Sequence, residues 1–170
     1  MTAEHQQLSL KETMPIIYSN EGVWEGWYRY FDVDGNPVDA HRSRLICRFP
    51  DENTYHQTNY YFWPDGKYEE RDFPTRIEDN KLIFYTNIDG WAAEVPLDTY
   101  NRTVMLNWTR HDEPDLYLYE MIQVSDCRQH RARTWHWFRN GKLFQRTLID
   151  EKFVTRDWKS YEGNTTAPDV

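Results

Sequence analysis

The residues whose types and surroundings could do chemistry are His136 and Glu120. His136 stands in the run His130-Arg131-Ala132-Arg133-Thr134-Trp135-His136-Trp137-Phe138, where an imidazole among rings can act as acid, base or ligand near neutral pH. Glu120 is flanked by apolar residues in Leu116-Tyr117-Leu118-Tyr119-Glu120-Met121-Ile122, and an inward carboxyl in such a place suits proton transfer. Each has a plain alternative: a packed histidine bonded to a neighbouring strand, and an outward glutamate paired across strands with Arg131 or Arg133. His41 and Ser43 look like half of a nucleophilic pair, but residues two apart on a strand point in parallel. No Gly-x-Ser-x-Gly elbow accompanies them, which argues against a serine hydrolase. The six histidines lack zinc-site spacing, and His130 and His136 lie about 20 Å apart along an extended strand. No metal and no cofactor are expected.

Such residues need elements to position them, and the chain reads as strands. From Val23 onward, short period-two runs alternate with turn chemistry at Asp34-Gly35-Asn36-Pro37, Pro64-Asp65-Gly66-Lys67, Glu78-Asp79-Asn80, Asp89-Gly90, His111-Asp112-Glu113-Pro114 and Asn140-Gly141. Asp65-Gly66 and Asn140-Gly141 carry the residue types that tolerate positive φ in tight hairpins. The runs between turns predict about ten strands, over 23 to 31, 38 to 49, 54 to 63, 67 to 75, 81 to 87, 91 to 97, 103 to 110, 115 to 125, 128 to 139 and 142 to 154. Short connections make them antiparallel neighbours, and closure into an up-and-down barrel removes the exposed edges of so long a meander. The prediction is an all-β chain: a leader over 1 to 20, helical near Leu8 to Met14 or irregular, one barrel domain over 21 to 158, and a flexible tail over 159 to 170.

Composition bounds the function. The chain has 170 residues, enough for one cored domain, and 16% of them are aromatic. Mean hydropathy is nevertheless -0.93, so rings alternate with polar residues. A formal net charge of -8 argues against nucleic acid as a partner. No run approaches signal-peptide or membrane-span length, so a cytoplasmic protein without membrane insertion is expected. Its two cysteines, Cys47 and Cys127, then read as buried free thiols. A homodimer is compatible with the sequence.

Strand alternation divides each run into two faces. The first strand turns Trp24, Gly26, Tyr28 and Tyr30 inward; the second turns in His41, Ser43, Leu45, Cys47 and Phe49, leaving Arg42, Arg44 and Arg48 outside. The third lines the barrel with Tyr55, Gln57, Asn59, Tyr61 and Trp63, or with the opposite set. In the ninth, keeping arginines outside puts His130, Ala132, Thr134, His136 and Phe138 inward, and Arg131, Arg133, Trp135, Trp137 and Arg139 outward. The eighth strand offers no choice of face.

Gly22-Val23-Trp24, at the start of the first strand after a non-strand leader, resembles the Gly-x-Trp signature of lipocalin and calycin barrels. The resemblance implies a tryptophan plugging the closed end with an arginine across its ring, for which Arg156 is the first candidate and Arg139 the second. The longer pattern, from Gly22-Val23-Trp24-Glu25-Gly26 through His130 to Phe138, is similar to a lipocalin-like bacterial family of unknown function. It implies a barrel that holds a small organic molecule, and it transfers no catalytic residue.

The leading expectation is a barrel that carries or sequesters a small hydrophobic or aromatic metabolite. Its binding residues would be Trp24, Tyr28, Tyr30, Gln57, Tyr61, Thr134 and His136. The alternative is a cofactor-independent lyase, isomerase or decarboxylase acting on a small aromatic or polyketide-like substrate through His136 or Glu120. A third class, an interaction protein, would present Trp135 and Trp137 to solvent.

Overall fold

The computed structural model describes residues 9–96 and 102–170. Two short helices, α1 (Leu10–Thr13) and α2 (Pro15–Ser19), lead into ten strands: β1 (Gly22–Asp32), β2 (Pro37–Asp51), β3 (Thr54–Phe62), β4 (Tyr68–Glu78), β5 (Lys81–Phe84), β6 (Ile88–Glu94), β7 (Thr103–Arg110), β8 (Leu116–Val124), β9 (His130–Arg139) and β10 (Lys142–Thr155). Each strand pairs antiparallel with its neighbours in sequence, and β1 pairs with β10 to close the barrel. The leader up to residue 8 and the expected end of the sixth strand at residue 97 lie outside the described residues.

Turn chemistry sets the hairpins. Asn140 and Gly141 both take positive φ, 49° and 74°, in a two-residue connection between Arg139 and Lys142. Asp79 and Asn80 do the same between β4 and β5. At Gly26 the wall comes so close to β10 that an added Cβ would sit 1.8 Å from the Asp150 carbonyl oxygen, so only glycine fits.

α2 plugs one end of the barrel, burying Ile16 and Ile17. Glu94 on β6 accepts the Ile16 and Ile17 N–H groups at 2.6 and 2.9 Å, which gives this buried helix start its acceptors. Trp24 lies in the same layer, donates its indole N–H to the Asn20 carbonyl at 2.9 Å and packs on Phe153. The arginine across its ring is Arg131, 4.5 Å from the ring centre. Arg156 and Arg139 do not fill that role: both are exposed, and Arg139 pairs with Glu113 and Asp115.

The C-terminal segment is pinned to the outer wall, contrary to the flexible tail expected. After a 3-10 turn at Trp158–Tyr161, the carbonyls of Asn164 and Thr166 accept from Arg44, and that of Pro168 accepts from Arg42. Trp158, Tyr161 and Ala167 cover Val23, Ile46, Tyr60 and Phe62. The outward arginines of β2 thus hold down the chain end. Of the cysteines, both free, Cys47 is buried as expected and Cys127 is exposed.

Candidate functional site

The barrel encloses a cavity of about 380 Å³, open opposite α2, within the range of small-molecule sites. The inward sets expected for β1 and β2 stand, and β3 contributes Tyr55, Gln57, Asn59 and Tyr61, with Trp63 beyond it. β8 turns Leu118, Glu120 and Ile122 inward, leaving Tyr119 and Met121 exposed.

The facing expected for β9 is reversed. Arg131, Arg133 and Trp135 are buried and, with Trp137, line the cavity, whereas His136 and Ala132 are exposed and Thr134 is half-buried on the outer surface. The physical reason is charge matching across the register. Arg131 is aligned with Glu151 on β10 and donates to it through Nε at 2.5 Å. Arg133 donates to Glu120 at 2.5 Å, to Glu151 at 3.1 Å and to the Tyr28 hydroxyl at 2.9 Å. Two guanidinium groups and two carboxylates neutralise one another inside the barrel, which removes the penalty that would otherwise force arginines outward. Burial pushes the Glu151 carboxyl up, but Arg131 and Arg133 outweigh it and hold it below the usual carboxylate range.

His136 is therefore removed from the cavity, and Thr134 with it. The tryptophans needed for a solvent-facing interaction surface, Trp135 and Trp137, are inside. Glu120 does line the cavity, as a partner of Arg133. Trp24 and Tyr28 are wholly buried beside the cavity and support it, whereas Tyr30, Gln57 and Tyr61 lie on its surface.

Three groups of residues build the walls. Along β3 runs a hydrogen-bonded ladder: the Tyr55 hydroxyl donates to Gln57 Oε1 at 2.6 Å, Gln57 Nε2 to Asn59 Oδ1 at 2.7 Å, and Asn59 Nδ2 to the Tyr61 hydroxyl at 2.8 Å. Across the barrel, β7 and β9 present an aromatic wall, with Trp137 packed edge-on against Trp108 and Trp135, each at 5.4 Å. Near the mouth, His41 stacks on Tyr28 at 4.8 Å and meets Trp63 at 4.4 Å.

His41 is the imidazole that lines the cavity. Its Nδ1 lies 3.2 Å from the Arg42 carbonyl oxygen, which can only accept, so Nδ1 carries the proton. Burial lowers its pKa against the opposing pull of that carbonyl, Asp39 and Glu69, so the ring is neutral and Nε2 accepts from the Tyr30 hydroxyl at 3.1 Å. Burial in turn raises the Tyr30 pKa, keeping the phenol protonated. His41 shares its face with Leu45 and Cys47, and that apolar company was the signal in the sequence that could have singled it out. Among the described residues, no three His, Cys, Asp or Glu side chains are placed to hold a metal ion, and no helix is long and apolar enough to cross a membrane.

The up-and-down ten-stranded barrel with a plugged end, Gly-x-Trp at its start and an arginine on that tryptophan is a calycin-like, lipocalin-like fold. Three solved structures share the architecture. A protein of unknown function of the DUF3598 family from Nostoc punctiforme PCC 73102 aligns with a TM-score of 0.65 and 16% identity, over 81% of this chain and 49% of that one; the chain spans about half its length. The S-type phycobiliprotein lyase CPES from Guillardia theta aligns at 0.64 and 11%, over 88% and 94%. Rv2717c from M. tuberculosis aligns at 0.60 and 10%, over 86% and 97%. At these identities the likeness is one of fold. No family model and no curated protein sequence matches the chain.

Proposed function

We propose that the barrel binds a small, flat, largely aromatic molecule inside its cavity. The observation that carries this reading is the enclosed space of about 380 Å³ walled by the rings of Trp63, Trp108, Trp135 and Trp137 and by the β3 ladder. Ring faces suit stacking on a planar ligand, and the few placed polar groups suit its orientation. The reading is tested by native mass spectrometry with organic extraction of the purified protein, followed by titration of tryptophan fluorescence with planar aromatic compounds. A stoichiometric guest, or saturable quenching that weakens in Trp137→Ala, is the expected result. Absence of both sinks the reading.

The Tyr30–His41 contact favours a second reading, in which the bound molecule also exchanges a proton. A ligand hydroxyl donating to the Tyr30 oxygen would lose its proton there as the Tyr30 proton passes to His41 Nε2, leaving a ligand anion and an imidazolium. This moves the acid–base role from His136 to His41, with Glu120 as counter-ion to Arg133. An enzyme would lose turnover by orders of magnitude in Tyr30→Phe while still binding; a carrier would show no turnover to lose.

A further inference from the structure

The cavity lining carries five cationic side chains, Lys67, Arg71, Arg110, Arg131 and Arg133, and two side-chain amides on β3. Every cation on its surface already has a carboxylate. Lys67 and Arg71 pair with Glu69, Arg110 pairs with Asp112, Arg131 with Glu151, and Arg133 with Glu120 and Glu151. An anionic ligand would therefore enter without a free counter-ion and would lose its hydration, a cost that an uncharged molecule avoids.

The donors that remain include two side-chain amides on β3, besides Arg131 Nη2 and the Trp135 indole N–H on β9, which have no hydrogen-bond partner among the described residues. Gln57 Nε2 and Asn59 Nδ2 each use one of their two N–H groups within the ladder. The second N–H of each is left for an acceptor. Gln57 Oε1 accepts from both the Tyr55 hydroxyl and, at 3.8 Å, the Cys47 thiol, so the Gln57 carbonyl is already occupied. In a ring of ten strands ordered as these are, β3 stands opposite β8, whose neighbours β7 and β9 carry Trp108, Trp135 and Trp137. The lumen thus carries two side-chain amides on the β3 side, between Tyr55 and Tyr61, and three tryptophans on the β7–β9 side, beside the Glu120–Arg133 pair. Gln57 and Asn59 are two residues apart on one face, about 7 Å along the strand, so two acceptors on one edge of a planar molecule can reach them.

We infer that the ligand is an uncharged planar aromatic carrying carbonyl or comparable acceptor oxygens along one edge, an aryl ketone or quinone in type, seated with that edge on Gln57 and Asn59 and its ring faces toward β7–β9. The inference rests on the binding reading and narrows it.

The test uses three fluorescent naphthalenes that differ at one position: the aryl ketone Prodan, its carboxylate analogue dimethylaminonaphthoate, and the parent dimethylaminonaphthalene. Titrated into the native protein at neutral pH, the ketone should bind about tenfold more tightly than either of the others. Gln57→Met, which keeps the length of the side chain, should reduce that advantage severalfold; its melting curve reports whether the barrel is intact. If the carboxylate binds best, the charge argument is overturned while the binding reading stands. If the parent binds as tightly as the ketone, the amide edge is overturned. If none of the three binds, the failure belongs to the binding reading itself.

Discussion

Replacing Glu151 by Gln removes one charge from the centre of the barrel while keeping the side chain's shape. In the native protein this carboxylate accepts from Arg131 at 2.5 Å and from Arg133 at 3.1 Å, and its side chain is wholly buried. After the change, two buried guanidinium groups share the single carboxylate of Glu120, which bonds only Arg133. Leaving a buried charge without its partner costs about 3–5 kcal/mol. In a chain of this size each kcal/mol lowers Tm by about 2–4 °C, so Tm should fall by about 6–20 °C. Glu120→Gln should cost less, because Arg133 keeps Glu151 and the Tyr28 hydroxyl. Removing a neutral pair together, in Arg133→Met with Glu120→Leu, should cost less than the sum of the two single changes. Guanidinium chloride unfolding followed by tryptophan fluorescence measures all five variants. Equal losses in Glu151→Gln and Glu120→Gln, or a double variant with costs that simply add, would refute the idea of a mutually neutralising cluster.

The remaining expectations follow from other parts of the barrel. Because the His41 pKa is lowered on folding, the unfolded chain binds the extra proton: the stability His41 contributes is complete above about pH 6.5 and is lost as pH falls below that. Unfolding free energy should therefore decline from pH 6.5 to 5, and His41→Gln should flatten that decline; an unchanged slope would show that another group sets it. Glu151 has the same sign at lower pH, its contribution being present above about pH 4 and lost as pH falls through its lowered folded value. Gly26→Ala forces β1 away from the Asp150 carbonyl and should cost about 3 kcal/mol in a chemical melt; a loss under about 0.5 kcal/mol would mean the wall yields freely. Ending the chain at residue 163 deprives Arg44 of the Thr166 and Asn164 carbonyls and Arg42 of the Pro168 carbonyl. It should lower stability by about 1–3 kcal/mol without altering ligand affinity, as checked by unfolding and by Prodan titration.

Much of this fold was legible because its causes are local. Alternation along the chain and turn residues such as Asn140-Gly141 and Asp79-Asn80 act over a few positions, so all ten strands fall close to where periodicity places them, as do the inward faces of β1 and β2, whereas alternation left both faces of β3 and β8 open. Trp24 at the closed end was equally readable. What failed was the facing of β9, and the failure has one cause. Taken alone, Arg131 and Arg133 belong outside, since an unpaired guanidinium inside a barrel is prohibitively costly. Their partners, Glu120 and Glu151, come from strands on either side of β9; the pairing of Glu120 with a β9 arginine was legible but was placed on the outer face, and nothing local to Arg131 or Arg133 announces Glu151. With the arginines inside, Trp135 and Trp137 turn in to form the ring wall, His136 turns out, and His41 becomes the cavity's imidazole. The tail went the same way: Asn164 to Val170 has little to order it by itself, but its carbonyls meet arginines more than a hundred residues earlier in the chain. The sequence alone determined where the strands run and which short-range pattern each carries. Only the closed barrel, by aligning charges on separate strands, decided which side of β9 lines the cavity.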